Sequence, residues 1–533
     1  MVFTGRGNHQ KLRKHLRGKP MSILDYKTYE EAREKFNWDQ VWDVFDGNAD
    51  NFNIAHECID RHVGKGTALR LKFEDGHTEK YTFDQLSKLS SQFAHALKDI
   101  GIGPGDRVTI MLDPSWEYYV SLFGTLKLGA HAVPCFTLFA PENVEYRLKD
   151  SKAKVLITTE ETANAIDKSL VKKVVVVGDD YNNFIKGKPE TIEVYPTKAK
   201  DVAVLQYTSG TTKKFPDAIP HYHKSVYTGI PNGVFVIGLR PGERYFCPSS
   251  PAWGYGLWYG TCVPLAIGSS IGSYNGRFDE KKIMEALEEF EITNFSAAPT
   301  VYRRMRNSGV IDNYKFKIKK MSYSGEPFDI STFEFIKNKF GVSPCSFYGS
   351  TEVGVILANF GGFENWTVKP GALGKPILGQ EVSVVDDKEN PVPPNTSGEI
   401  VVKRRGKWFK IKDIGVIDDD GHFWCKGRSD DVIISAGWTI SSAEIESTLS
   451  THDAVLEAAV IAVPDQDRGN IARAYVQVNK EPSEALAKEL QQYVKNQLGK
   501  YEYPRQIEFV DEIPKTVGGK TDRKKLKEMA GVA

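Results

Sequence analysis

TFDQLSKLSSQFAHALKDIGIGPGDRVTIMLDPSWEYYVSLFGTLKLG, running from Thr82 to Gly129, holds two periodicities in one stretch. Thr82 and Gln85 have capping-box spacing, and apolar Leu86, Leu89, Phe93 and Leu97 then recur at helical intervals as far as Gly101. The turn Gly103-Pro-Gly-Asp106 ends that pattern. The run Val108–Leu112 predicts a buried strand, and Trp116–Leu128 resumes the helical spacing until Gly129. Further strand-like runs follow at Val155–Thr158, Val174–Val177 and Val202–Tyr207, with a helical stretch at Glu142–Asp150 before them. Buried strands alternating with amphipathic helices predict an α/β domain with largely parallel sheets.

From about residue 370 the texture changes to short strands and Gly/Pro/Asp turns, and Asp420-Gly421 predicts a tight hairpin. Beyond Gly427-Arg-Ser-Asp-Asp431 the pattern is mixed: a helix near Ser442–Ser450, strands near Val455–Val463 and Ala474–Val478, a helix near Ser483–Leu498, and a basic tail. The expected organisation is a large N-terminal domain of α/β sheets with a small β subdomain, residues 1–429. A small, mobile α+β domain, residues 430–533, follows it.

The chain has 533 residues, 70 Lys+Arg against 69 Asp+Glu, and a net charge of +1. That balance gives no general electrostatic reason to bind nucleic acid. Six cysteines are scattered without a CxxC pair, as in a reducing compartment. The basic N-terminus has no apolar segment behind it, so it is not read as a secretory signal. No run approaches the ~18 unbroken apolar residues of a membrane helix. These features predict a cytoplasmic protein without integral membrane contact.

Tyr207-Thr-Ser-Gly-Thr-Thr212 directly follows an apolar strand, and its hydroxyl residues around one glycine can supply donors to polyphosphate oxygens. Gly519-Lys520-Thr521 resembles the end of a Walker loop, but Pro514 occupies the place of that loop's first glycine. In Ser346-Phe-Tyr-Gly-Ser-Thr-Glu-Val-Gly354 an aromatic ring, hydroxyls and a carboxylate lie close together, equipment for stacking a base, meeting a phosphate and holding Mg²⁺. Ser324-Gly-Glu-Pro327 is a turn that could meet a base edge.

Taken in order, these segments resemble the adenylate-forming acyl-CoA synthetase family, from about Phe52 to Leu526. That family's phosphate loop reads Y-T-S-G-T-T-G-x-P-K, its middle loop Y-G-x-T-E, its ribose segment T-G-D, its hinge G-R-x-D-D and its C-terminal segment P-K-T-x-S-G-K. Here the matching residues are Tyr207–Thr212, Tyr348–Glu352, Ile411-Lys-Asp413, Gly427–Asp431 and Pro514–Lys520, with the Gly-Glu-Pro turn at Gly325–Pro327.

The resemblance implies that ATP activates a small carboxylic acid as acyl-AMP and that coenzyme A then displaces AMP. By match, Thr208, Ser209, Gly210, Thr211 and Thr212 hold the β- and γ-phosphates. Thr351 meets the α-phosphate, Glu352 binds Mg²⁺, and Tyr348, Gly349, Ser350, Gly325, Glu326 and Pro327 surround the nucleotide. Asp413 accepts the ribose hydroxyls with Arg428 nearby, and Lys520 bridges the carboxylate and α-phosphate. Asp430 is the implied hinge, about which Ala436, Gly437, Trp438, Arg468, Tyr503 and Arg505 swing towards CoA. Arg468 and Arg505 read equally as solvated surface charges.

Two departures stand out. Lys213-Lys-Phe-Pro-Asp217 replaces the loop's Gly-x-Pro-Lys, leaving open whether Lys213, Lys214 or neither meets phosphate, and Thr439 stands where relatives carry arginine. These departures keep alive a nucleotide- or acyl-binding regulator without catalysis, and a separate alternative keeps adenylation but delivers the acyl group to another acceptor. Acetate-specific relatives carry tryptophan at the position of Gly349, so an open acyl pocket lined by Trp253, Gly254, Tyr255, Gly349 and Val353 is expected, with a short- to medium-chain substrate longer than acetate.

Overall fold

The computed structural model describes residues 21–207, 217–326, 328–350, 353–428, 433–435, 438–498, 502–516 and 520–532. Thr82 begins the first long helix, Phe83–Asp99: its hydroxyl accepts from the Gln85 amide while Gln85 caps the Thr82 amide in return. Leu86, Phe93 and Leu97 are buried on that helix, as their spacing requires. The helix packs against Trp116–Lys127.

A charge is built into that contact. Lys127 is almost fully enclosed, and its ammonium donates to Asp60 Oδ1 at 2.7 Å, Ser87 O at 3.0 Å and Ser91 Oγ at 2.9 Å. Burial depresses the Lys127 pKa and Asp60 opposes it, so the ion pair compensates a charge that has lost its water.

Two sheets carry the large domain. The first has the order Lys173–Val176, Val155–Thr158, Arg107–Ile110, His131–Pro134, Val202–Tyr207 and Ala218–Tyr222, parallel except for its last pair. The second has nine strands, with a parallel centre of Cys345–Ser350, Lys320–Tyr323, Asn294–Ala297, Arg244–Phe246, Ser270–Asn275 and Thr67–Phe73. One continuous apolar core joins elements of both sheets, from Leu69 and Val108 to Phe347.

Val382–Val385, Gly398–Arg404, Lys407–Ile417 and Phe423–Arg428 form a separate antiparallel sheet with its own core of Val384, Ile400 and Phe423. The Asp420-Gly421 turn is as expected: Gly421 has φ +78° and donates to Asp418 O.

The C-terminal part has its own sheet and core. Val455–Asp465 and Gly469–Val478 make a long antiparallel hairpin, flanked by Ile433–Ser435 and Gln506–Phe509 and covered by Ser442–Ser450 and Glu484–Leu498. Leu449, Leu490 and Val494 fill the space between helices and sheet. The expected boundary at residues 429 and 430, and the hinge Asp430, lie outside the described residues.

Removing the Asp60 carboxylate strands the buried Lys127 charge and should cost about 3 kcal/mol, whereas Thr82→Ala should cost about 1 kcal/mol. Thermal unfolding of Asp60→Ala and Thr82→Ala checks this. The larger drop belongs to Asp60→Ala, and the reverse order would contradict the assignment.

Candidate active site

The parallel strands of the nine-stranded sheet all deliver their C-terminal ends to one edge. Asn294–Ala297 runs into the helix Pro299–Asn307, Lys320–Tyr323 into Ser324-Gly325-Glu326, and Cys345–Ser350 into the turn that follows Tyr348. Ligands of open α/β sheets bind at such an edge.

Glu326 is fixed from three directions. It accepts from the Thr300 amide at 2.7 Å, the Thr300 hydroxyl at 2.5 Å and Arg303 Nη2 at 2.9 Å. Its carboxylate is therefore spoken for by the helix, and the turn presents backbone instead. Gly325 has φ +104°, and a Cβ placed there would sit 3.7 Å from Lys520 Cε. Lys520, from the far C-terminus, thus reaches the Gly325 turn. Its own turn is closed by Thr516 N–H donating to Lys520 O at 2.7 Å and by Lys520 N–H donating to Thr516 Oγ1 at 3.3 Å.

Tyr348 donates its phenol hydrogen to Asp413 Oδ2, and Asp413 lies in register opposite Arg428. The sequence expectation that Tyr348, Asp413 and the Gly325 turn share one site fits this geometry. Thr208–Thr212, Lys213, Lys214, Pro327, Thr351 and Glu352 lie outside the described residues, as do the side chains of Ser350 and Arg428. Tyr207 ends its strand, and its phenol donates to Asp150 Oδ2 at 2.7 Å. Burial and the Asp150 carboxylate both push that phenol well above its ordinary pKa. Tyr207 is an anchor for the end of its strand.

An aromatic wall adjoins this edge. Tyr255 and Tyr259 each lie 5.3 Å from Phe347 by ring centroid, and the Tyr255 hydroxyl meets Ser296 Oγ at 2.6 Å, which meets Ser322 Oγ at 2.5 Å. Trp253 packs on Phe136 at 4.9 Å, and a Cβ at Gly254 would stand 3.3 Å from Gln206 Oε1. Phe347, Ser296 and Ser322 were not singled out from the sequence. Their signal was only that they occupy strand ends at the same sheet edge.

Two pocket expectations need correction. A Cβ on Gly349 would fall 1.9 Å from Gly354 O and 2.8 Å from Val355 Cα. Glycine is required there by the close approach of the neighbouring strand, at a register shift between Tyr348 and Gly349. It does not open a pocket by leaving out an indole. Val353 packs with Tyr348 on the core of the small antiparallel sheet, away from the aromatic wall, while Val355 packs on the large core that holds Phe347.

The residues expected to serve CoA converge elsewhere. Ser435 pairs with both Trp438 and Gly469, which puts Ser435 beside the residue that follows Arg468. Arg505 N–H donates to Ala472 O at 2.9 Å, its guanidinium donates to the Tyr503 hydroxyl at 2.9 Å, and it stacks 4.8 Å from the Tyr503 ring centroid. Arg505 is therefore a held cation, not a freely solvated one. Ala436, Gly437 and the Trp438 side chain lie outside the description.

This cluster occupies the Asp465/Gly469 end of the hairpin. The Lys520 turn sits at the other end, since Lys515 bonds Glu457, which pairs with Gln477. Eight strand residues separate Glu457 from Asp465, a span of about 26 Å. One rigid hairpin carries the lysine end and the cation end, so only one of them can stand at a given point of the sheet edge at a time.

Residues 59–407 match the AMP-binding enzyme family, and residues 444–520 match the AMP-binding enzyme C-terminal domain. The chain belongs to the AMP-binding enzyme family. It is 30% identical to the human mitochondrial acyl-coenzyme A synthetase ACSM3 over 95% of this chain and 92% of that protein. It is 31% identical to the acetyl-coenzyme A synthetase of Bacillus subtilis (strain 168), over 94% and 95% respectively. Among solved structures, the anthranilate CoA ligase AuaEII in complex with anthranoyl-AMP superposes with a TM-score of 0.83 at 30% identity, covering 90% of this chain and 98% of that one. The benzoate CoA ligase from Burkholderia xenovorans LB400 gives 0.77 at 27%, covering 89% and 99%. No helix among the described residues is long and apolar enough to cross a membrane.

Glu502 ties the cation end to the large domain. It accepts from the Ser441 amide at 3.1 Å, and Ser441 Oγ donates to Lys426 O at 2.5 Å. Burial, followed by the neighbouring Glu444 carboxylate, pushes the Glu502 pKa up to about 7. A carboxyl raised in the folded state stabilises the fold most below its unfolded pKa, near 4.5, and loses that contribution as pH rises towards 7. Between pH 5 and 8 the melting temperature of Glu502→Gln should therefore fall less than that of the unmodified chain. Parallel pH profiles would contradict this. For the loop, Gly349→Ala should lower activity with every acid tested and leave the chain-length profile unchanged, and a profile shifted towards acetate would restore the open-pocket reading.

Proposed function

We propose that this enzyme converts a short- to medium-chain carboxylic acid, ATP and CoA into acyl-CoA, AMP and pyrophosphate through an acyl-AMP intermediate. The observation that carries the reading is the placement of Lys520 against the Gly325 turn, with the CoA-side cations at the opposite end of the same hairpin.

A carboxylate is a poor electrophile, so it must be activated before a thiol can attack. Its oxygen attacks the α-phosphorus of ATP in line and pyrophosphate leaves. In the second step the CoA thiol attacks the acyl carbonyl and AMP leaves with the electron pair of the broken C–O bond. Negative charge gathers on the α-phosphate oxygens in the first step, and a preorganised lysine ammonium at that point lowers its barrier. Asp413, an acceptor-only carboxylate already positioned by Tyr348, suits two ribose hydroxyls.

Among the described residues no group of three or more His, Cys, Asp or Glu side chains is arranged to hold a metal ion. Mg²⁺ would be held largely by the phosphates of the nucleotide, with Glu352 as its protein carboxylate. When bound, the ion would neutralise phosphate charge. Tyr255, Tyr259 and Phe347 offer an apolar wall for the acyl group, and Thr208–Thr212 the cradle for the outer phosphates. The near-balanced charge and the cysteines scattered without a CxxC pair suit a cytoplasmic acid-activating enzyme of fatty acid metabolism.

Lys520→Ala should slow adenylation by at least ~10²-fold while thioester formation from supplied acyl-AMP largely survives. Pyrophosphate exchange and CoA-dependent release of AMP, followed with a C2–C8 acid panel, separate the two steps. Equal loss in both would contradict the domain roles, and absence of AMP with every acid would contradict the activity.

A further inference from the structure

Glu457 stands on the long C-terminal hairpin, facing the large domain. It bonds Lys515, five residues before Lys520 and within the same turn, and it lies 3.5 Å from Arg303 Nη2 on the large-domain helix Pro299–Asn307. Arg303 in turn bonds Glu326 at 2.9 Å and lies 3.5 Å from Asp329. The charges therefore run from the Lys520 turn through Lys515, Glu457, Arg303 and Glu326 to Gly325, which Lys520 faces. The side chains of Arg303, Glu457 and Lys515 are only 12%, 18% and 19% exposed, so water screens these attractions weakly.

We propose that Glu457 is the clasp of the adenylating arrangement, a positioning residue that docks the lysine-bearing end of the small domain onto Arg303 and so holds Lys520 at the reaction edge. The inference rests on the acyl-CoA synthetase reading given above. Arg303 is suited to this part because two of its three carboxylate partners, Glu326 and Asp329, belong to its own domain. When Glu457 departs, Arg303 keeps compensated charge, so undocking does not strand a buried cation. Burial acts to lower the Arg303 pKa, but Glu326, Glu457 and Asp329 together more than reverse it, and the guanidinium stays charged in either arrangement. The clasp contact can thus be made and broken during each turnover, while the Arg303–Glu326 bond persists and keeps the Gly325 turn in place. Rotation of the small domain to bring Arg505 inward removes Glu457 from reach, because Ala472, which Arg505 bonds, pairs with Ala462 about 17 Å along the hairpin from Glu457.

The test is a double-mutant cycle on the full chain with Glu457→Gln, Arg303→Gln and both together, plus Glu457→Asp as the conservative variant. Pyrophosphate exchange with an acid the unmodified enzyme uses reads adenylation, and CoA with supplied acyl-AMP reads thioester formation. Glu457→Gln should cut the adenylation kcat by about tenfold, and the double variant should be no more than about twofold worse than Arg303→Gln alone. Thioester formation should be unchanged by Glu457→Gln, and Glu457→Asp should recover part of the lost adenylation rate. Equal slowing of both half-reactions by Glu457→Gln, or losses that multiply in the double variant, would overturn the clasp. If the unmodified chain forms no AMP with any acid, the functional reading fails instead, and the clasp is then read from limited proteolysis near residue 430. Faster cleavage of Glu457→Gln and Arg303→Gln, without further increase in the double variant, supports it, and unchanged cleavage overturns it.

Discussion

The hairpin Val455–Asp465 with Gly469–Val478 is hydrogen-bonded along its whole length and backed by Leu449, Leu490 and Val494, so it moves as one body or not at all. Its two ends carry different chemistry. Near one end Glu457 and Lys515 support the Lys520 turn, and towards the other Arg505 bonds Ala472 and holds the Tyr503 hydroxyl. A stiff strand pair holds its two ends about 26 Å apart, so both cannot occupy one reaction point. A reaction that needs a lysine in one step and a thiol carrier in the next is thereby divided in time by the geometry of a single element.

The large domain answers with fixed parts. Glu326 is held by Thr300 and Arg303, Tyr348 is tied to Asp413, and Tyr255 is joined through Ser296 to Ser322. Each bond uses a side chain at the C-terminal end of a parallel strand or in the segment just after it, where the sheet positions it without mobile loops. Charge compensation follows the same division. The Lys127–Asp60 pair is permanent and structural, whereas the Arg303–Glu457 contact is the one member of its cluster that crosses between domains. Removing a partner from the first leaves a stranded buried charge, and from the second it leaves a cation that still has two carboxylates.

Local sequence signals were strong where local physics decides structure. The capping box at Thr82, the buried strand around Val108–Ile110 and the Asp420-Gly421 turn are set by neighbours a few residues away, and the structure contains each of them. The family motifs singled out Tyr348, Asp413 and Lys520, and the structure bonds Tyr348 to Asp413 and sets Lys520 near Gly325. What sequence left obscure was set by distant pairing. Gly349 looked like a missing side chain, but its lack of Cβ is demanded by Gly354, whose position depends on strand register. Val353 was assigned to the acyl pocket, but it packs on the core of the small antiparallel sheet. Arg303 and Glu457 are separated by over a hundred residues and belong to no motif, so only the docked domains bring them together.

The most direct measurement of the alternating hairpin is the distance between spin labels at Arg304→Cys on the large domain and Lys524→Cys beside the Lys520 turn. With ATP and acid bound the account predicts one short distance. With CoA and a non-hydrolysable acyl-AMP analogue it predicts a second, longer distance as the Arg505 end turns inward. A single distance unchanged between the two states would contradict it.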